Sequence, residues 1–398
     1  MEEAVAHRDY LLDSSRLVWR LWTGRLPTGI DRVCFEYVRQ FGARSLAVLQ
    51  FRGRIVVLSD EDSDRLFRLM LRGGPGLRRR LVALLAIAWL RARPSPPKPG
   101  MAYLNVGHTG LHDRALPAWI SAHGVKAVYL IHDLIPITHP QFCRDGEAGK
   151  HSERMENALA SATGIVANSQ ATMDDLTAFA SQRRIPMPES VVAWIAGSET
   201  PQSSPHALER PYFITVGTIE GRKNHALLLD IWRQLVAEIG RESPMLVIVG
   251  QRGWKAEAAE ALLESPGLAQ HVRELGTCGD AELGGLLKGA RALLMPSFAE
   301  GFGLPVIEAL DGGTPVIAAD LPVYREVVGD IPLYLDQDDV EGWKSAILSF
   351  ISDCPERERQ KRSIERFRAP DWPTHFVTVE HWLEQQSIVQ PNRRGCET

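Results

Sequence analysis

The stretch ALLMPSFAEGFGLPVIEALDGGTPVIAAD, residues 292–320, shows the alternation that decides the fold. A short apolar run, Ala292–Met295, precedes a bend rich in glycine and proline, then a helical stretch, and then a second apolar run, Val316–Ala318. Short apolar runs separated by a helix are typical of parallel strands joined by a crossover. The stretch therefore predicts a βαβ unit.

The same alternation recurs along nearly the whole chain of 398 residues. Further strands are predicted at Leu46–Gln50, Met101–Val106, Ala127–Ile131, Ile165–Ala167, Phe213–Val216 and Met245–Val249. A chain of this length usually forms two domains, and the polar stretch Gly197–Arg210 interrupts the alternation as a linker would. We therefore predict an α/β protein of two domains, with the ligand site in the cleft between them, beyond the carboxyl ends of the strands.

Composition sets the broad class of protein. The chain is 44% hydrophobic and 24% charged with a formal net charge of −4, which gives no reason to expect a nucleic-acid partner. Its five cysteines lack a CxxC pair, which favours a reducing compartment. The acidic N-terminus does not resemble a signal peptide, and no run approaches the roughly 18 apolar residues that span a bilayer. We expect a cytoplasmic protein.

The bend after Met295 carries two carboxylates beside a helix start. Pro305 suits the first helical position, so free N–H groups near Gly303 and Val306 would favour an anion. Glu300 and Glu308 offer hydrogen-bond acceptors on either side of these amides. A ligand with hydroxyls, a phosphate and further hydroxyls fits this arrangement, as a nucleotide sugar does.

Two other interpretations of the glutamates stay open at this point. Glu300 can be solvated while Glu308 interacts with a helix dipole, or the two can be the acid and the nucleophile of a glycosidase. The glycosidase interpretation leaves no purpose for Arg222 and Lys223, which follow a predicted strand and the turn GTIEG. Adjacent cations at a strand end suit a departing diphosphate, although most such pairs are solvated.

Three segments together resemble a known family. VGTIEGRKNH (residues 216–225), the stretch from Gly276 to Asp320 and REVVG (residues 325–329) are similar to the retaining nucleotide-sugar glycosyltransferases of family four, the glycosyl transferases group 1. The resemblance covers roughly residues 100–345. It implies the GT-B fold, in which two Rossmann-like domains face each other across a cleft and a C-terminal helix crosses back.

The resemblance also implies domain bounds. Residues 1–200 would form an acceptor-binding domain, residues 201–369 a donor-binding domain, and residues 370–398 would complete the first domain.

The family's motifs imply roles for individual residues. The implied donor-binding residues are Gly29, Arg222, Lys223, Cys278, Glu300, Gly301, Phe302, Gly303, Leu304 and Glu308, the implied catalytic residues are His132, Lys223 and Glu300, and Ser169 would lie on the acceptor side. Glu300 would bind sugar hydroxyls and Glu308 the ribose. Lys223, helped by Arg222, would hold the diphosphate, and the backbone at residues 276–278 would face the base.

Three of these residues come from the N-terminal half. Gly29, together with Arg32, lies in LPTGIDRV, which resembles a glycine-rich loop near the donor phosphates. His132 comes from HDLIP and Ser169 from ANS. Many members of the family carry an arginine directly after the glycine of VG, but this chain has Thr218 there. Arg222 would therefore make more of the contacts with the diphosphate.

The resemblance implies a retaining, metal-independent hexosyltransferase whose nucleotide sugar is a substrate, with no further cofactor. Among subgroups it is most similar to bacterial mannosyltransferases of exopolysaccharide or lipopolysaccharide O-antigen assembly, which would use GDP-mannose and a glycan or polyprenyl-diphosphate-linked acceptor. UDP- or dTDP-sugar transferases share the motifs. A GT-B nucleotide-sugar epimerase and a non-catalytic scaffold also stay open. So does a metal site that takes its ligands from His108, His112, His132 with Asp133, and His139, because His108 and His112 have i,i+4 spacing.

A basic apolar segment, residues 65–93, contains eight arginines and no acid. Its run LVALLAIAWL, residues 81–90, is too short to cross a bilayer but suits a position in the membrane interface. A buried helix with solvated arginine ends is the alternative. The charge predicts peripheral docking on anionic lipid at the inner face of the cytoplasmic membrane.

Overall fold

The computed structural model describes residues 8–24, 28–91, 96–197 and 203–389. These residues form two compact units. The first comprises the described parts of Met1–His132, Gly149–Ile195 and Trp372–Thr398, and the second those of Asp133–Ala148 and Ala196–Asp371.

The first unit is built on a seven-stranded sheet. Its strands are β1 (Tyr10–Asp13), β2 (Ser45–Phe51), β3 (Arg54–Val57), β4 (Ala102–Asn105), β5 (Lys126–Ile131), β6 (Gly164–Ala167) and β7 (Glu189–Val192). The strand order is β3-β2-β1-β4-β5-β6-β7, and only the β2–β3 pair is antiparallel among these pairings.

Helices connect these strands and cover the sheet. They are α1 (Ser15–Thr23), α2 (Gly29–Phe41), α3 (Asp60–Arg72), α4 (Leu77–Arg91), α5 (Ala115–His123), α6 (Ile135–Thr138), α7 (Glu147–Ser161) and α8 (Gln170–Arg183). Of these, α6 belongs to the second unit, because it lies within Asp133–Ala148.

The second unit is built on a six-stranded parallel sheet. Its strands are β8 (Tyr212–Val216), β9 (Met245–Val249), β10 (Val272–Leu275), β11 (Leu293–Met295), β12 (Val316–Ala319) and β13 (Leu333–Leu335). Its helices are α9 (His225–Ile239), α10 (Glu257–Leu263), α11 (Asp280–Gly289), α12 (Leu304–Asp311), α13 (Pro322–Val328), α14 (Val340–Phe350) and α15 (Pro355–Ile364). The last helix of the chain, α16 (Trp372–Gln385), belongs to the first unit.

The strand order of the second sheet, β10-β9-β8-β11-β12-β13, is the doubly wound order of nucleotide-binding folds. From β8 the chain winds outward through β9 and β10, then returns to β11 on the other side of β8. The loops that leave β8 and β11 therefore diverge at the carboxyl edge of the sheet, and this switch point is where such sheets bind ligands.

The core of the second unit closes around two fully buried indoles, Trp232 of α9 and Trp343 of α14. The N–H of Trp232 donates to the Pro244 carbonyl at 2.9 Å, and that of Trp343 donates to the Asp336 carbonyl at 2.9 Å. Because both polar atoms are hydrogen-bonded, the rings contribute their apolar surface without leaving a buried donor unpaired. The two indoles thereby anchor α9 and α14 in this core.

All eight strands expected from the sequence are present, with ends that differ by no more than one residue. The α/β class and the predicted parallel sheets are confirmed. Five further strands were not predicted, namely β1, β3, β7, β10 and β13. They have three or four residues each, so their neighbours in the sheet, rather than a local run of apolar residues, specify them.

The segment 133–148 differs in placement from the sequence-based division, which assigns it to the first domain. It follows β5 of the first sheet but packs with the second unit. The physical reason is aromatic packing, since the ring of Phe142 stacks on that of Phe298 with centroids 4.7 Å apart. Of the predicted linker, residues 198–202 lie outside the described residues.

The basic segment contains the end of α3 and all of α4. Over Leu77–Ala88, where the side chains of α4 are described, Leu81 is buried and the other side chains are partly or fully exposed. This exposure contradicts the buried-helix alternative over that range. Within the described ranges, no helix is both long enough and apolar enough to cross a bilayer.

Candidate donor-binding site

The two loops at the switch point of the second sheet carry the predicted acidic and basic residues. The loop after β8 ends in a 3₁₀ turn, Gly221–Lys223, and the loop after β11 leads through Glu300 to α12. Although Lys223 and Glu300 are 77 residues apart in sequence, Lys223 Nζ donates to Glu300 Oε1 at 2.6 Å. The fold thus joins two motifs that the sequence shows separately.

Glu300 is the centre of this cluster, with only 6% of its side chain exposed. Besides Lys223, it accepts hydrogen bonds from Arg222 Nη1 at 3.1 Å and Ser297 Oγ at 2.7 Å. Burial alone would raise the pKa of Glu300, but the charges of Lys223 and Arg222 and the hydrogen bonds from Lys223 and Ser297 outweigh it and hold the pKa at about 2. Glu300 is therefore ionised at neutral pH.

Lys223 is buried beside the glycine that ends β8. Gly217 has φ +143°, and a Cβ there would stand 3.1 Å from Lys223 Cε and 3.2 Å from Nζ. The glycine leaves room for the ammonium group to reach Glu300. Burial lowers the pKa of Lys223, although the negative charge of Glu300 opposes this effect.

Arg222 connects two carboxylates across the switch point. Its Nε lies 2.6 Å from Glu220 Oε1, and its Nη1 donates to Glu300 Oε2 and, at 3.0 Å, to the Ala299 carbonyl. Burial alone would lower the pKa of Arg222, but Glu300 and Glu220 outweigh it and raise the pKa. The guanidinium is thus a fixed cation with its orientation set by three acceptors.

Three groups around the cluster are buried with polar atoms that lack a hydrogen bond to any described residue. They are Glu220, through Oε2, His225, through both ring nitrogens, and Tyr324, through its hydroxyl. Burial, followed by the charge of Lys223, lowers the pKa of His225 to about 4, so the ring is neutral at pH 7. Because buried polar groups are nearly always hydrogen-bonded, these atoms are able to bond to a ligand at the cluster.

The bend that follows Glu300 requires glycine at one position. Gly303 has φ +84°, and a Cβ there would stand 2.4 Å from Cε1 of Tyr324 on α13. Burial, followed by the charge of Glu300, raises the pKa of Tyr324 well above its usual range. Tyr324 therefore forms an uncharged wall of the cluster, and only glycine lets the bend pass it.

The structure corrects the predicted amides at the start of α12. The helix begins at Leu304, so Pro305 is its second residue rather than its first. The N–H of Val306 donates to the Gly303 carbonyl at 2.9 Å, and is therefore not free for an anion as predicted. Glu308 is half-buried on the same helix, and a Cβ added at Gly197 would stand 3.0 Å from its Cγ.

The other predicted donor-site residues lie in two places. Gly301, Phe302 and Leu304 belong to the bend, where Phe302 is buried. Cys278 lies at the same sheet edge, in the loop that joins β10 to α11. Burial, followed by the charge of Glu282, raises the pKa of the Cys278 thiol to about 11, so the thiol is uncharged.

In the first unit, His132 is fixed at the end of β5. Its Nε2 lies 2.8 Å from the Val106 carbonyl, and its own carbonyl accepts from Asn168 Nδ2 at 2.8 Å. The His108 and His132 rings are 5.1 Å apart, and His108 and His151 are 6.1 Å apart. In the described ranges, no three His, Cys, Asp or Glu side chains are grouped so that they could hold a metal ion.

Ser169 and Gly29 both stand at helix starts. Ser169 is fully buried and caps α8, since its Oγ accepts from the Thr172 N–H at 3.0 Å. Gly29 is the first residue of α2, behind a capping box in which the Thr28 N–H donates to Asp31 Oδ2 at 2.7 Å. The start of a helix is a sufficient structural reason for a serine at 169 and a glycine at 29. The ligand-binding roles of Ser169 and Gly29 stay predictions.

Sequence reasoning did not single out Ser297, Glu220, His225 or Tyr324. Ser297 and Glu220 each lie within three residues of a predicted site residue, so their position in the same loops was the available signal. Tyr324 comes from α13, and only the folded sheet places it against Gly303. The charged cluster is therefore larger than the sequence indicates.

Fold and site together define the class of protein, a GT-B α/β protein with a charged cluster at the switch point of its second sheet. The structure of Anabaena HepE in complex with UDP and glucose aligns over 96% of this chain and 100% of its own, with TM-score 0.64 and 16% identity. Residues 198–367 match the model of the family Glycosyl transferases group 1.

Named relatives match parts of the chain. The O-antigen chain mannosyltransferase B of Escherichia coli is 37% identical over 147 residues, which are 37% of this chain and 38% of that protein. The O-antigen chain mannosyltransferase RfbU of Salmonella typhimurium is 36% identical over 176 residues, 44% of this chain and 47% of that protein. The chain thus aligns with less than half the length of each.

Proposed function

We propose that the protein is a glycosyltransferase that moves a hexose from a nucleotide-diphosphate sugar to a glycan or lipid-linked acceptor. The observation that carries the proposal is the buried cluster of Lys223, Arg222 and Glu300 at the switch point of a group 1 glycosyltransferase domain. Fixed cations there can balance the charge that develops on a departing diphosphate. The nucleotide sugar is a substrate, and no metal or further cofactor is proposed.

Within this proposal, Glu300 positions the donor sugar rather than donating a proton. A glycosidase acid has a raised pKa, whereas that of Glu300 is about 2. An ionised carboxylate can accept hydrogen bonds from sugar hydroxyls but cannot protonate a leaving group. In a retaining transfer, the departing diphosphate takes the acceptor proton, so no carboxylate base is needed. Glu308 would hold the ribose and Cys278 would lie near the base.

The donor we propose is GDP-mannose, with retention of configuration and a role in bacterial polysaccharide assembly. The similarity of parts of this chain to O-antigen mannosyltransferases supports mannose as the transferred sugar. Glucosyl or rhamnosyl transfer from a UDP- or dTDP-sugar is the alternative, because Lys223 and Arg222 would hold any nucleoside diphosphate. His132 and Ser169 are proposed to serve the transfer from the first unit.

A thermal-stabilisation panel of GDP-, UDP- and dTDP-sugars tests this function. We expect GDP-mannose to give the largest rise in Tm, because a ligand at 100 times its Kd adds about 2.7 kcal/mol to the free energy of unfolding. Lys223→Ala should lose the rise, whereas Lys150→Ala, a change at an exposed lysine of α7, should keep it. A larger rise with a UDP-sugar selects the alternative donor, and no rise with any donor contradicts the function.

A second incubation separates transfer from epimerisation. The donor alone, without an acceptor, should stay unchanged or hydrolyse slowly if the protein is a transferase. Interconversion of the donor into a second nucleotide sugar would instead identify an epimerase.

We further propose that the protein docks on anionic membrane through α1 and α4. Two indoles of α1, Trp19 and Trp22, are 49% and 41% exposed, and Val82 and Ile87 of α4 are 40% and 41% exposed. The Arg78 guanidinium lies 4.9 Å from the Trp22 ring centroid, which joins the two helices at the surface. Exposed apolar side chains beside arginines are the composition of an interfacial membrane helix.

Sedimentation with vesicles tests the membrane proposal. We expect the protein to pellet with vesicles containing anionic lipid at low salt and to remain in solution with neutral vesicles or at high salt, because lipid charge is screened by ions. Arg78→Glu with Arg79→Glu should abolish pelleting. Arg362→Glu with Arg366→Glu, at exposed arginines of the second unit, is the matched control. Equal pelleting by both double variants would rule out α4.

A further inference from the structure

The segment Asp133–Ala148 follows directly after His132 but folds with the second unit. We infer that this segment positions the Arg222, Lys223 and Glu300 cluster, and that Phe142 is its main contact. The inference rests on the proposed function, in which this cluster binds the donor diphosphate and sugar. Phe142 is thus a positioning residue, because it acts through its neighbours.

The contact of Phe142 lies next to the cluster. Its ring is nearly parallel to that of Phe298, at 13° and 4.7 Å between centroids. The N–H of Phe298 donates to the Arg222 carbonyl at 2.8 Å, and Phe298 precedes Glu300 by two residues. Phe142 therefore packs against a residue whose backbone is hydrogen-bonded to Arg222 and leads directly to Glu300.

A second set of contacts ties the segment to the loop after β9. Trp254 Nε1 donates to the Phe142 carbonyl at 3.2 Å, and the Arg144 guanidinium lies 4.7 Å from the Trp254 ring centroid. Lys255 Nζ lies 3.3 Å from Asp145 Oδ1. Contacts of four kinds, namely ring stacking, a cation–π contact, a hydrogen bond and an ion pair, hold the segment in one place.

The chain leaves room for this packing at Gly221, the residue before Arg222. A Cβ at Gly221 would stand 2.8 Å from the Lys255 carbonyl oxygen and 3.4 Å from Phe142 Cδ1. Its N–H donates to the Trp254 carbonyl at 3.2 Å. The loop with both cations is thus held against Phe142 by close backbone approach.

The segment also contributes charge to the cluster. The carboxylate of Asp133, its first residue, acts with Glu300 and Glu220 to raise the pKa of Arg222 against the effect of burial. Packing by Phe142 and charge from Asp133 therefore act on the same guanidinium. A small displacement of such a group lowers the rate of a reaction that depends on its alignment.

A double-mutant cycle on the stack tests the inference. We expect Phe142→Leu and Phe298→Leu each to lower kcat/KM for transfer about tenfold, mainly through kcat, because alignment matters most in the transition state. The double variant should lose about as much as either single one, since both changes remove the same contact. Phe142→Tyr should retain activity, and Phe51→Leu, at a 71% exposed ring of the first unit, is the control.

The outcomes separate this inference from the proposed function. Calorimetric binding of GDP, UDP and dTDP to the wild-type protein is measured alongside transfer. If the wild type neither binds a nucleoside diphosphate nor transfers sugar, the proposed function fails and the inference falls with it. If the wild type does both, the inference is overturned by single variants within twofold of wild type, by effects that multiply, or by a lowered Tm with unchanged kcat.

Discussion

Replacing Lys223 by alanine should lower kcat/KM for sugar transfer roughly 150-fold, about 3 kcal/mol of transition-state stabilisation. The ammonium group is buried and its position is fixed by Glu300 at 2.6 Å, so the site need not reorganise as charge develops on the leaving diphosphate. Steady-state kinetics with the donor that most stabilises the protein would measure the loss.

Two variants sharpen this prediction. Lys150→Ala removes an exposed lysine and should leave kcat/KM unchanged. Glu300→Gln keeps the shape but removes the charge, and should also lower kcat, since the neutral amide is a weaker acceptor for sugar hydroxyls and leaves Lys223 without its carboxylate partner and Arg222 with Glu220 alone. Turnover of Lys223→Ala within a few-fold of wild type would remove Lys223 from the proposed role.

Replacing Gly303 by alanine should lower the free energy of unfolding by about 2–4 kcal/mol. Two costs add, since φ +84° is unfavourable for a residue with a Cβ, and that Cβ would stand 2.4 Å from the buried Tyr324 ring. Urea denaturation followed by fluorescence would show a lower midpoint. The matched control is Gly267→Ala, at an exposed glycine with open space around it.

The Gly303 result also bears on the site. The bend fixes the backbone between Glu300 and α12, so the variant should lose donor-dependent stabilisation as well as intrinsic stability. If Gly303→Ala were as stable as Gly267→Ala, the Tyr324 ring would be able to move aside at little cost, and the bend would not depend on glycine.

Much of the fold could be predicted because short patterns of apolar and polar residues specify its strands and helices. Strands such as Met245–Val249 are continuous apolar runs, as expected for parallel strands buried on both faces. Short strands such as β10, VREL, carry no such run, and they form because β9 offers them a parallel partner. Their existence depends on pairing, which a single segment cannot show.

The residues that form the charged cluster stand out singly in the sequence, but their pairing does not. The spacing of Glu300 from Glu308 and the adjacency of Arg222 and Lys223 are local features. Their pairing depends on the β8–β11 switch point, where two loops 77 residues apart meet. The same reason explains why Ser297 and Glu220 were not singled out, because their hydrogen bonds and charges matter only once that pairing exists.

The sequence by itself determined the alternation of strands and helices, the glycines of the bend, and the types of charged residue at the strand ends. Only the tertiary structure decided that Glu300 is an ionised partner of Lys223, that α4 leaves Val82 and Ile87 exposed, and that residues 133–148 pack with the second unit. The physical reason is that periodicity and turn chemistry act over a few residues. Burial, ion pairing and ring stacking depend instead on which distant segments the sheets bring together.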